Sequence, residues 1–167
     1  GDTVTITARG TPTGLLANTN LTFSWSGLPT GHSTGDLILA LLGAKPYNLS
    51  PPAPTDYTLA ASKTSGTTAN GNGVGSTFAG IWTKTHDGSE ANPSITCSVN
   101  PAPGMSAMAA FYKTNAGSWD IQTGTYAQTT TGTSLSALCD TALSLAPGDV
   151  VGVLVVHADD TPTHSST

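Results

Sequence analysis

Turn-forming residues break this sequence at short intervals, and the stretches between the breaks alternate with a period of two. Segments 4–8 (VTITA) and 21–25 (LTFSW) put apolar side chains at every second position, which gathers them on one face of an extended strand. Between them, 10–20 carries Gly10, Pro12, Gly14, Asn18 and Asn20, and 27–35 reads GLPTGHSTG. Both are turn-rich by composition. Segment 36–42 (DLILALL) is apolar on both faces and reads as a central, buried strand. Four prolines in 44–54 exclude that segment from a sheet interior. A weaker strand follows at 56–62, then a glycine-rich loop at 63–75.

Stronger strand signals occupy 77–85, 94–99, 106–114, 119–126, 134–140 and 149–158. Turn signals separate them at Asp87-Gly88, at the NPAPG of 100–104, at Asn115-Ala116-Gly117 and at Pro147-Gly148. Helix is disfavoured throughout, because the chain holds one Glu, two Gln and only 5 Lys plus Arg. Straight-chain side chains are what keep most of their rotamer freedom in a helix. The expectation is an all-β single domain over 1–167, an antiparallel two-sheet β-sandwich of jelly-roll-like type. It has about ten strands and a flexible tail at 159–167. Its central strands are 36–42 and 149–157, the two that are apolar on both faces. Leu37, Leu39, Ile81, Ile95, Phe111, Val151, Val153 and Val155 are the expected core residues.

Charged residues make up only 9% of the chain, and the formal net charge is -5. A phosphate-binding surface needs the opposite sign, so nucleic acid is not an expected partner. No apolar run approaches the roughly 18 residues of a spanning helix, so membrane insertion is not expected either. Cys97 and Cys139 lack metal or redox spacing. Each fits a small buried hydrophobe, and a disulfide between them stays open.

Clusters that could carry chemistry have plainer readings. His157, Asp159, Asp160 and His164 offer ligand-type atoms, but an extended strand sends Asp159 and Asp160 to opposite faces. Asp87 and Glu90 could pair as glycosidase carboxylates, yet they flank a Gly88-Ser89 turn. The string Asn70-Gly71-Asn72-Gly73-Val74-Gly75 lacks the helix and lysine of a phosphate loop. Asp36 and Asp149 each follow a glycine and precede an apolar strand, and side-chain bonds to turn backbone account for both. No catalytic, metal-binding or cofactor-binding residue is assigned, and no enzymatic activity is expected. Tyr47, Tyr57 and Trp119 lie beside loops and are the candidate exposed rings for contact with a glycan or partner.

The elements run in order from a Gly35-Asp36-Leu37-Ile38-Leu39 strand through proline-rich and glycine-rich loops to Trp82-Thr83-Lys84-Thr85. Pro93-Ser94-Ile95-Thr96, Phe111-Tyr112-Lys113 and Pro147-Gly148-Asp149-Val150-Val151 follow. This order resembles a β-sandwich domain of tailed-bacteriophage virion proteins of the minor tail, fibre or head-appendage type, and the similarity spans roughly 36–158. It implies a structural component of a virus particle, located in the virion, whose partners are copies of itself, other virion proteins and a host-surface glycan. The alternative is a secreted carbohydrate-binding or adhesion module. Thr and Ser exceed a quarter of the chain, and hydroxyl-rich strands offer hydrogen bonds to a neighbour without the desolvation cost of burying charge.

Overall fold

The computed structural model describes residues 4–14, 22–25, 27–49, 51–66, 75–89, 92–97, 104–125, 127 and 142–157. They are all-β. Eight strands appear, β1 (Ile6–Ala8), β2 (Thr13–Gly14), β3 (Thr22–Ser24), β4 (Leu37–Ala44), β5 (Thr58–Ser65), β6 (Thr77–Thr85), β7 (Ser94–Thr96) and β8 (Gly104–Lys113). One 3-10 turn covers Tyr47–Leu49, and no α-helix occurs among the described residues. An unclosed antiparallel sheet runs in the order β1-β8-β4-β6-β5, and β2 also pairs with β8. β3 and β7 form a separate antiparallel ribbon.

β4 is the central strand that the sequence predicts. All eight of its residues pair with β6 on one edge, from Leu37↔Thr85 to Ala44↔Phe78, and with β8 on the other, from Leu37↔Phe111 to Ala44↔Gly104. The fully buried set is Ile38, Ala40, Leu42 and Ala44, while Leu37, Leu39 and Leu41 are half-buried. Register explains the choice. Ala40 lies between Trp82 and Met108, and Leu42 lies between Gly80 and Ser106, so large and small side chains alternate across this face. The ribbon supplies its cover: Trp25 after β3, Ile95 on β7 and Cys97 belong to the same core as Ile38, Leu42, Trp82 and Met108. Trp25 meets Trp82 edge-to-face at 6.2 Å and donates its indole N–H to the Leu41 carbonyl at 3.0 Å.

Gly80 is required by this packing. The rings of Phe78 and Trp82, 6.4 Å apart and near-parallel, close over it from both sides. A Cβ there would lie 2.7 Å from Trp82 and 2.8 Å from Phe78. Both rings are buried and cannot swing away.

Several expectations are corrected. Of the expected core, Ile95 is fully buried, whereas Leu37, Leu39, Ile81 and Phe111 are half-buried on the opposite face of the sheet. Val151, Val153 and Val155 are exposed at 59%, 69% and 45%. Among the described residues segment 149–157 has no strand partner and so does not take the expected central place, and the described part of 119–126 has none either. Segment 134–140 and the tail at 159–167 lie outside the described residues, as does Cys139 and with it the disulfide question. A strand apolar on both faces and a segment covered on one face look alike in sequence. Only the partners distinguish them. β5 also runs three residues into the expected loop, to Ser65. There it gains a ladder with β6 after a bulge between Leu59 and Ala61.

Gly80→Ala should cost about 1–3 kcal/mol, the range for overpacking a filled core. Gly152→Ala, whose Cβ would meet nothing within 4 Å, should stay within about 0.5 kcal/mol of the parent. Urea unfolding of the two variants side by side checks the contrast.

Candidate functional site

The densest polar constellation sits where β4 begins. Residues 33–36 form a tight turn with Gly35 at φ 92, a left-handed conformation that glycine adopts without steric cost. Asp36 N–H donates to the Ser33 carbonyl at 3.1 Å, and Ser33 N–H donates back to Asp36 Oδ2 at 2.8 Å. The same carboxylate receives Arg9 Nε at 2.9 Å and Nη2 at 3.1 Å, a bidentate pair with Asp36 only 2% exposed. Arg9 is set in place by its own backbone N–H on the Ala110 carbonyl at 2.8 Å, just past β1. Its guanidinium lies 4.0 Å above the Tyr112 ring, and the Asp36 carboxylate raises its pKa further. One buried acid thus ties the turn, the β1 side of the sheet and the start of β4 together.

Beside this pair the chain leaves β8 and folds back. Lys113 Nζ donates to the Ser118 carbonyl at 2.6 Å and stands 5.1 Å from the Trp119 ring centroid. Trp119 Nε1 donates to the Gly35 carbonyl at 3.0 Å, which locks 115–119 against the Asp36 turn. A cavity of about 280 Å³ opens here, lined by Arg9, Thr34, Tyr112, Lys113 and Asn115 among others. A second, of about 290 Å³, lies across the 118–121 segment against Leu37, Thr58 and Lys84. Lys84 stands 4.0 Å from Asp56 and 3.6 Å from Asp87.

The rings singled out from sequence behave differently from one another. Tyr57 is buried, 7% exposed, because the turn closed by its N–H on the Pro54 carbonyl directs it into the core. It is therefore not an exposed contact ring. Trp119 is half-buried with its N–H engaged. The Tyr47 ring falls outside the described residues; its backbone lies in the 3-10 turn.

Asp36 and Asp149 make the same turn, as the sequence predicts. Asp149 N–H donates to the Ala146 carbonyl at 3.1 Å, Ala146 N–H donates to Asp149 Oδ2 at 2.7 Å, and Gly148 has φ 98. His157 is half-buried, while Asp159, Asp160, His164 and Glu90 lie outside the described residues. Among the described residues no group of three or more His, Cys, Asp or Glu is placed to hold a metal.

Sequence reading missed Arg9 and Lys113. Arg9 is the single arginine of a chain with few charges, and an isolated arginine on a strand end is a signal for a bidentate partner elsewhere. What could not be seen was Asp36 as that partner, 27 residues away. No protein-family model, no curated protein and no solved structure matches this chain.

Asp87 accepts the Ser89 hydroxyl at 2.6 Å and the Ser89 N–H at 2.9 Å, and these bonds, hydroxyl first, lower its pKa to about 2, with Lys84 adding to the effect. Its contribution to stability is present above the ordinary carboxylate range and is lost as pH falls through about 2. Carboxyl titration by NMR should find that midpoint, and Ser89→Ala should move it upward. An unmoved midpoint would assign the shift to Lys84 instead.

Proposed function

We propose that this chain is a structural component of a bacteriophage particle, a head or tail appendage packed against copies of itself in the virion. The observation that carries the reading is the exposed valine row of 149–157. Val156 lies on the β4 face opposite the ribbon, where its Cγ2 would be 2.7 Å from a Cβ at Gly43. Val151, Val153 and Val155 are exposed, as are Val150 at 49% and Leu145 at 58%. A run of exposed valines close in sequence is the kind of apolar exposure that marks a contact surface. Covering each half-exposed valine contributes about 1 kcal/mol.

The charge pattern favours a like partner. Segment 142–157 carries one formal charge, Asp149, so two copies meeting here bury no opposed set of charges. The resemblance to tailed-phage sandwich domains, read from the sequence, supplies the particle context. The same reading carries the finer architecture, a jelly-roll-like two-sheet sandwich with the β3–β7 ribbon as the described part of its second layer. Contacts with host glycan belong to the loops of such an appendage. Burial of Tyr57 removes one of the three rings on which the alternative, a secreted carbohydrate-binding module, would rely.

Sedimentation from low to high salt tests the proposal. The chain should form a closed oligomer whose mass changes little with salt, because screening acts on exposed charges. Val151→Asp with Val153→Asp should yield a monomer with an unchanged circular dichroism spectrum. A parent chain that stays monomeric at high concentration, and is missing from purified particles, would sink the reading.

A further inference from the structure

We propose that the cleft between segment 118–121 and the β5–β6 side of the sheet is a binding site for one ring of an uncharged sugar. It gives the host-glycan contact of the reading above a place in the fold and rests on that reading for the host alone. It shares no lining residue with the valine row. Its floor is the sheet. Thr58 pairs with Thr83, Thr83 with Leu39 and Thr85 with Leu37, so register sends all three threonines to the face of β4 opposite the ribbon. Cross-strand neighbours stand about 5 Å apart and alternate residues of one strand about 7 Å apart, which spreads three hydroxyls over the width of a single ring.

These hydroxyls are unengaged. Among the described residues none of the three makes a hydrogen bond, and Thr83 is only 9% exposed. A polar group buried to that degree is ordinarily bonded. Each threonine hydroxyl can both donate and accept, so the floor suits a ligand that carries several groups of the same kind.

The opposite wall is apolar. Trp119 gives its indole N–H to the Gly35 carbonyl at 3.0 Å, so the ring offers the cleft only carbon surface. Ile121 continues that wall, and Leu37 adds an apolar side chain to the floor. A ring with apolar faces and a rim of hydroxyls matches both surfaces. Charge selects against an anion. Lys84 and Asp56 are the charged residues of the lining and stand 4.0 Å apart, and Asp87 lies 3.6 Å from the same ammonium. An ammonium shared by two carboxylates does not attract a further one. A volume of about 290 Å³ falls at the small end of ligand pockets, which begin near roughly 300 Å³. One sugar ring is the scale that fits.

The test titrates the full chain with glucose, galactose and N-acetylglucosamine, followed by indole and amide NMR shifts, with sodium glucuronate and cyclohexanol as comparisons. At least one neutral sugar should move the Trp119 indole and the Thr83 amide at millimolar concentration. Cyclohexanol, a ring with a single hydroxyl, should bind at least roughly fivefold more weakly than that sugar, the scale of one neutral hydrogen bond. Thr83→Val keeps nearly the same shape and removes one hydroxyl. It should weaken sugar binding by a similar factor while leaving the circular dichroism spectrum and sedimentation as in the parent. Thr58→Val, at an exposed position, should do the same. The variant Val151→Asp with Val153→Asp should bind the sugar as the parent does, so a failed site and a failed assembly read separately. No response to any of the three sugars would overturn the site, as would shifts confined elsewhere or two threonine variants that bind like the parent. Cyclohexanol binding as tight as the sugar would show a merely apolar cleft. Glucuronate binding tighter than every neutral sugar would overturn the uncharged assignment.

Discussion

The contact of Trp25 with Trp82 is the joint on which the described fold hangs. The sheet alone could satisfy its backbone, since β4 is hydrogen-bonded on both edges, but it could not shield the face carrying Ile38, Leu42 and Met108. A ribbon of two three-residue strands has little ladder of its own and is marginal in water without packing. Trp25 gives it one large apolar face against Trp82 and one polar bond to Leu41. The need for Gly80 follows, because the ring that receives Trp25 leans back across that position. Replacing either tryptophan would expose both layers together.

A second constraint works at the other end of β4. The Asp36 carboxylate holds a turn N–H and two guanidinium donors while almost fully buried. Such a group is tolerated because it is fully bonded and paired. The arrangement leaves Arg9 stiff and planar above Tyr112 and lets Trp119 close on Gly35. The polar groups of this corner are thus held chiefly by bonds to one another.

The strand pattern was legible because period two and turn residues are local. β1, β3, β4, β6 and β8 each overlap a segment with clear alternation or a continuous apolar run. The buried face of β4 was not legible. Its two faces differ only in that Trp82, Gly80 and Met108 lie across from Ala40 and Leu42, a matter of register with strands some 40 and 70 residues away. The valines of 149–157 misled for a related reason: hydropathy records what a side chain prefers, and the partner it meets is a separate fact. The site divides the same way. The Asp36 and Asp149 turns are four-residue events and could be read directly, whereas the Arg9 pair and the seat of Lys113 depend on the sheet bringing distant ends together.

The repeated Gly-Asp turn has a consequence for how the C-terminal segment meets its surroundings. At 33–36 the turn launches β4 into a ladder on both sides, and at 146–149 the same bonds launch a segment with no ladder among the described residues. The direction of the chain is therefore set by three local groups, a carboxylate and two backbone amides, before any neighbour is engaged. A segment aimed in this way keeps less chain entropy than a free one. The turn acts as a fixed muzzle that sets the heading of the valines beyond it.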